Sequence, residues 1–167
     1  IVYIRLGAPG GGDGQSWATA YNHLRDALPN APGGSDIWIS AGTYKPSASS
    51  SKTTYFTINS KNLRIYGGFA GNESSLSQRD PSSNETILSA DYSGNDSAVY
   101  NSSLFSDNGY HVLFIEDCNV TLDTLTVTGG NARISSSDQD SGGGIFARGA
   151  GLKLFDCKLK SNYAISY

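Results

Sequence analysis

The sequence predicts a mostly-β fold, a set of short strands with one short amphipathic helix near the N-terminus. Three observations predict it. The 167 residues include 20 Gly, 10 Tyr and no Met, and about a fifth are Ser or Thr, which suits strands joined by frequent turns. Short alternating apolar runs recur along the chain, separated by turn-rich segments. After the first helical segment no second one is long enough to carry a crossover. Parallel strands would therefore wind as a solenoid, whereas antiparallel ones would give a sandwich or barrel.

At this length the chain is read as one domain, 1–167, with a real core. Residues 1–15 hold a first strand, "IVYIRL", and a glycine hinge, "GAPGGGDG". Strand, glycine loop and helix in that order also open nucleotide-binding units, but no frame here gives Gly-X-Gly-X-X-Gly. Gly14 is followed by Gln15 and Ser16 rather than by Lys and Ser or Thr. The loop is read as a hinge, with Gly10, Gly11, Gly12 and Gly14 permitting a reversal of the backbone. Residues 16–28 are read as the capping helix. Trp17, Ala20, Tyr21, Leu24 and Leu28 share one face, Asp13 or Ser16 caps the start, and Pro29 stops it.

From 36 to 167 the chain reads as stacked rungs with polar loops. The strand-like runs are "DIWISAGTY", "YFTI", "NLRIYGGF", "TILSA", "HVLFI", "NVTLDTLTVTGG", "GGGIFARG" and "LKLFDCKLK". A phase switch near Asp123 predicts a corner or a bulge. "TLDTLTVTGGNA" and "KLFDCKLKSNYA" echo each other 32 residues apart, matching Leu122, Leu125 and Val127 with Leu154, Cys157 and Leu159. An echo at fixed offset favours the solenoid.

"DGQSWATAYNHLRDAL", "DIWISAGTYKP", "LRIYGGFAGNESSLSQRDPSSNETILSAD", "YHVLFIEDCNVTLDTLTVTGGNA" and "GGGIFARG", in this order over nearly the whole chain, resemble the N-terminal part of right-handed parallel β-helix proteins. These are the pectate-lyase-like repeats of secreted and cell-surface proteins. The resemblance implies a solenoid whose first strand and helix close one end, most often in surface or adhesive proteins without assigned chemistry.

Charge and motifs bound the function. The formal net charge is −3, with six Lys and six Arg scattered, so nothing calls for nucleic acid; no apolar run reaches the about 20 residues of a membrane span. The missing Met fits a secreted chain that has lost its signal and, equally, a fragment of something longer; five sequons, at Asn72, Asn84, Asn95, Asn101 and Asn119, favour a secreted or surface glycoprotein. Twelve Asn would give roughly two or three sequons by chance. Cys118 and Cys157 are too few for a disulfide scaffold; they either pair with each other or pack as two thiols.

Candidate sites are few. "SSSDQDSGGG" could wrap calcium through Asp138 and Asp140, but it lacks the spacing of a known calcium loop, and a solvated loop is favoured. Some β-helix proteins cleave acidic polysaccharides with carboxylates and a basic residue. Asp91, Asp96, Asp107, Glu116, Asp117 and Asp123, with Arg64, Arg79, Arg133 or Arg148, are the groups available, and they read as turn and rim residues. His23 and His111 read as structural or solvent-facing. The aromatics read as core or stacked ladders before sugar platforms. No catalytic residue or cofactor is assigned.

The far end, "LKLFDCKLKSNYAISY", stays strand-like without a cap. A bare solenoid end would be covered by further repeats of a longer chain or by another copy, in an oligomer or filament. The first strand could also be donated to a neighbour. The expectation is a non-enzymatic, self-associating extracellular module. The alternatives are a polysaccharide lyase or another carbohydrate-active β-helix enzyme, and a carbohydrate-binding module.

Overall fold

The computed structural model describes residues 1–9, 11–134 and 137–165; Gly10 of the hinge, Ser135 and Ser136 of the polar loop, and the final Ser166 and Tyr167 lie outside these. The fold is mostly sheet. The strands are β1 (Val2–Ile4), β2 (Asp36–Ser40), β3 (Gly42–Tyr44), β4 (Phe56–Asn59), β5 (Leu63–Phe69), β6 (Thr86–Ser89) and β7 (Leu113–Glu116). There follow β8 (Asn119–Asp123), β9 (Thr126–Thr128), β10 (Asn131–Ala132), β11 (Ile145–Arg148), β12 (Gly151–Phe155), β13 (Lys158–Lys160) and β14 (Tyr163–Ala164). All eight apolar runs singled out in the sequence are strands.

Every pairing between these strands is parallel. They form open sheets ordered β1-β2-β5-β8-β12, β3-β6-β9-β13 and β4-β7-β11, plus the pair β10-β14. From β2 onward the chain visits the three larger sheets in the same rotation, one circuit after another. The sequence echo is the register of this arrangement. Leu113 pairs with Ile145, Asn119 with Gly151, Thr126 with Lys158 and Asn131 with Tyr163, each 32 residues apart.

Corners separate the sheets. Thr124 turns with φ 59° between β8 and β9, the phase switch expected near Asp123, and Asp156 turns with φ 47° one circuit on. Asp117 (φ 51°) and Gly149 (φ 58°) repeat the preceding corner. A left-handed residue at matched positions lets each corner change direction without shifting the ladder.

One core runs through the molecule. Ile37, Ile65 and Leu122 form one inward column, Leu63 and Val120 a second, and Tyr44, Leu88 and Val127 a third, all buried. These belong to a single apolar cluster that also takes in Ile58, Leu113 and Ile115.

The capping helix is much shorter than the sequence predicts. α1 spans only Leu24–Ala27. The apolar spacing upstream has another cause: Tyr21 bridges Ile4 in parallel, its N–H donating to the Tyr3 carbonyl and its own carbonyl accepting from Arg5 N–H. Ser16 does cap, but only a turn, its Oγ accepting from Thr19 N–H at 3.2 Å. A Cβ on Gly12 would lie 2.3 Å from the Ala20 carbonyl oxygen, so the hinge crosses this segment backbone to backbone. The same bridge places a neighbour on the free side of β1, against its use as a donated strand.

Leu24, Ala27 and Leu28 are buried in the core, and Lys61 Nζ donates to the Leu28 and Ala31 carbonyls at 2.6 and 3.2 Å. A cation on the last carbonyls of a short helix satisfies acceptors the helix cannot.

Candidate functional site

Two of the candidate acids, Glu116 and Asp123, and three of the arginines are held in ion pairs. Arg148 binds Glu116 and reaches Asp138 at 3.2 Å, while Asn59 Nδ2 donates to the other Glu116 oxygen at 3.0 Å. Asn59, Glu116 and Arg148 are ladder partners on β4, β7 and β11, so this is an ion-pair ladder running across three circuits. Arg79 pairs with Asp123 at 2.9 Å and Arg64 with Asp36. The hydrogen bond and charge of Glu116 at Arg148, and of Asp36 at Arg64, raise the pKa of each guanidinium and favour its protonated form. Arg133 lies over the Tyr100 ring at 4.6 Å. Asp117 sits exposed at its corner.

The loop read as a calcium candidate is built differently. Asp138 accepts from Arg148, and Asp140 Oδ1 accepts from Ser141 Oγ at 2.8 Å. Among the described residues no group of three or more His, Cys, Asp and Glu side chains could hold a metal ion. The glycines after it serve packing. A Cβ on Gly143 would lie 2.2 Å from the Tyr163 carbonyl oxygen, and one on Gly130 would lie 1.7 Å from that of Gly143. Three backbones touch where side chains cannot fit. The sequence signal was the pairing of "TGGN" with "SGGG".

His111 is wholly buried, with Nδ1 3.0 Å from the Gly142 carbonyl and the ring against Tyr55 and Phe146. Burial lowers its pKa, so the neutral ring donates from Nδ1 to Gly142. His23 sits half-buried at the N-cap of α1; burial, then Arg25, lower its pKa too. Tyr55, Phe114 and Phe146 stack face to face, with centroids 6.0 and 5.4 Å apart. Their faces are used on one another, which leaves little platform for a sugar ring. Trp38 and Phe69 do the same at 4.7 Å.

Asn72, Asn95, Asn101 and Asn119 are exposed and Asn84 is half-buried. Asn119 differs in standing on β8, its N–H donating to Asn62 Oδ1. The sequon at Asn72 sits on a fixed turn because its middle residue, Glu73, points inward. The Glu73 carboxylate accepts from Ala70, Gly71 and Asn72 N–H at 2.6 to 3.0 Å. Burial alone would raise its pKa, but the three donors outweigh it and hold it below the ordinary value. Because the folded pKa is depressed, this stabilisation is complete above the unfolded pKa and is lost as pH falls through the folded one. Glu73→Ala is expected to cost about 2 kcal/mol at neutral pH, and urea unfolding at pH 7 and pH 3 checks that the difference shrinks in acid.

Both cysteines are free thiols. Cys118 is buried, its Sγ donating to the Ile58 carbonyl at 3.7 Å. The register sets Cys157 over Leu125, and Cys118 level with Ala150, so the two occupy different columns.

Sequence reading did not find a cleft of about 320 Å³ beside β6, β9 and β13, lined by Pro81, Glu85, Thr126, Asp156 and Lys158 among others. Its members are far apart in sequence, and Glu85 already accepts from Thr126 Oγ1 at 2.8 Å.

The last circuit is the most unusual surface. Leu154 and Leu159 continue the Leu122 and Val127 columns, yet they are 42% and 49% exposed where their partners are buried. β12 and β13 each have one strand neighbour. Lys153, Lys158 and Lys160 stand where the strands beneath carry Thr121, Thr126 and Thr128. No helix among the described residues is long and apolar enough to cross a membrane. Compared with protein-family models, curated proteins and solved structures, the chain matches none.

Proposed function

We propose that the chain is a right-handed parallel β-helix of the pectate-lyase-like kind, used outside the cell as a structural and adhesive module that self-associates. The rotation of the strands through three parallel sheets supports the solenoid. The observation that carries the assembly is the bare fourth circuit. Its inward leucines are out of water's reach only if another layer covers them, and its strand edges hold unpaired backbone groups.

The covering layer is either a further circuit of a longer chain or a second copy; Leu24, Ala27 and Leu28 of α1 pack into the core near the first strands, so two copies would meet through their last circuits. The lysines at that end repel across such a contact, and salt strengthens it. Glycans on the exposed sequons at Asn72, Asn95 and Asn101 lie on loops off the contact.

Sedimentation velocity from 1 to 100 μM, values chosen to span roughly micromolar affinities, tests this. A dimer that strengthens with salt and is abolished by Leu154→Asp is expected. A monomer across that range at high salt overturns the assembly.

The cleft at Glu85, Asp156 and Lys158 favours a second reading, a glycan-binding or glycan-cleaving groove. Glycan-array binding lost on Lys158→Ala supports it, and new ultraviolet absorbance from unsaturated uronates separates cleavage from binding.

A further inference from the structure

Between β6 and β7 the chain leaves the sheets for a long excursion, and four polar residues close its base. Asp91 accepts from Gly94, Asn95 and Asp96 N–H at 2.6, 3.3 and 3.2 Å. Asp107 accepts from Ser93 N–H at 2.8 Å. Asn108, only 1% exposed, donates from Nδ2 to Asp96 Oδ2 at 2.8 Å. This side-chain bond ties the middle of the excursion to its return.

The bond is half of a pair. Asp96 Oδ1 and Asn108 Oδ1 are both buried, and neither has a hydrogen-bond partner. Two orphan acceptors sit on the two groups that already share one hydrogen bond. Buried acceptors left unpaired cost about 1–3 kcal/mol each, so a native arrangement of this kind calls for a donor. A carboxylic acid facing a primary amide supplies it: the amide N–H goes to one acid oxygen, and the acid O–H returns to the amide oxygen. Turning the Asn108 amide over would only exchange which oxygen lacks a donor.

We propose that Asp96 and Asn108 form an acid–amide pair closed by a proton, which locks the 91–108 excursion onto the sheets in mild acid and loosens it at neutral pH. In the step, Asp96 Oδ1 takes a proton from hydronium, an O–H bond forms, water is released, and the new O–H donates to Asn108 Oδ1. Deprotonation returns the proton to solvent. No other covalent bond changes.

The surroundings have the right sign. Burial pushes the Asp96 carboxyl up to about 6, and Asp91 and Asp107 add to the shift, against the hydrogen bond from Asn108. The two charged groups acting on it, Asp91 two residues beyond β6 and Asp107 in the 3-10 turn Leu104–Asp107, are both acids. An acid whose pKa is higher closed than open binds its proton in the closed form. The lock is complete below the open value near 3.8, weakens as pH rises from there to about 6, and levels off above.

Backbone amide exchange on the whole chain, corrected for intrinsic rates and run with a chelator, tests the pair. Protection at Gly94, Asn95 and Asp96 is expected to fall roughly tenfold between pH 5 and pH 7.5, since each unit of pKa difference is worth a factor of ten. Asp96→Asn presents a permanent N–H to Asn108 Oδ1, so its protection stays high and flat with pH. Flat protection in the unaltered chain overturns the proposal. So does an Asp96→Asn chain as exposed as the neutral-pH form, or calcium chloride restoring protection at pH 7.5, which would assign the orphan oxygens to a cation. If Asp96→Asn does not fold, the carbon-13 titration of the Asp96 carboxyl decides: a midpoint near 6 supports the pair, and one near 4 overturns it.

Discussion

Leu122→Ala is expected to lower the unfolding free energy by about 3 kcal/mol, within the range for a buried leucine that leaves a cavity. Leu122 is wholly buried, with Ile65 on one side and Leu154 on the other, in a column that cannot collapse without shifting two ladders. Leu154→Ala removes the same atoms one circuit further on. At 42% exposure that side chain has less to lose, and the cost in dilute solution should stay below about 1 kcal/mol. Urea unfolding of both variants at low and high protein concentration gives the contrast its value. If a second copy covers the last circuit, the cost of Leu154→Ala grows with concentration while that of Leu122→Ala does not.

Gly143→Ala should be comparably damaging for a different reason. No void is created; instead a methyl group must enter a space bounded 2.2 Å away by the Tyr163 carbonyl oxygen and 3.1 Å away by that of Gly130. Neither neighbour is the end of a flexible side chain, so backbones must separate. Separation strains the hydrogen bonds from Val112 N–H to the Gly143 carbonyl and from Tyr163 N–H to the Gly130 carbonyl. A loss of about 3 kcal/mol is expected, at the upper end for overpacking, with thermal unfolding by circular dichroism as the check. Gly94→Ala is the control, because no atom lies within 4 Å of its Cβ position; only its φ of 70° carries a penalty, of about 1 kcal/mol.

Much of the strand order was legible because alternation records which side of a strand faces the core. Ile37, Ile39, Leu63, Ile65, Val120 and Leu122 all obey it. The 32-residue echo was legible for the same reason, since stacked positions meet the same inward environment. The helix was misread because amphipathic spacing does not distinguish a helix from an irregular segment that buries residues on several surfaces. Trp17 packs edge-on against Tyr3 outside the sheets, with Nε1 bonded to the Glu73 carbonyl, while Ala20 and Leu24 go inward. The candidate sites were least legible. The Glu85–Lys158 cleft joins residues brought together only by the ladders, the Asp96–Asn108 contact is made within one irregular excursion, and glycines that keep backbones in contact are spelled like glycines of a loop.

The long excursions leave the sheets at corners and return to them in register, so segments such as 70–85 and 91–108 add length without altering strand pairing. Foreign sequence spliced into a loop tip such as Ser97–Val99 would therefore hang from the fold as cargo. Surface can change at such a tip while the ladders beneath keep their partners.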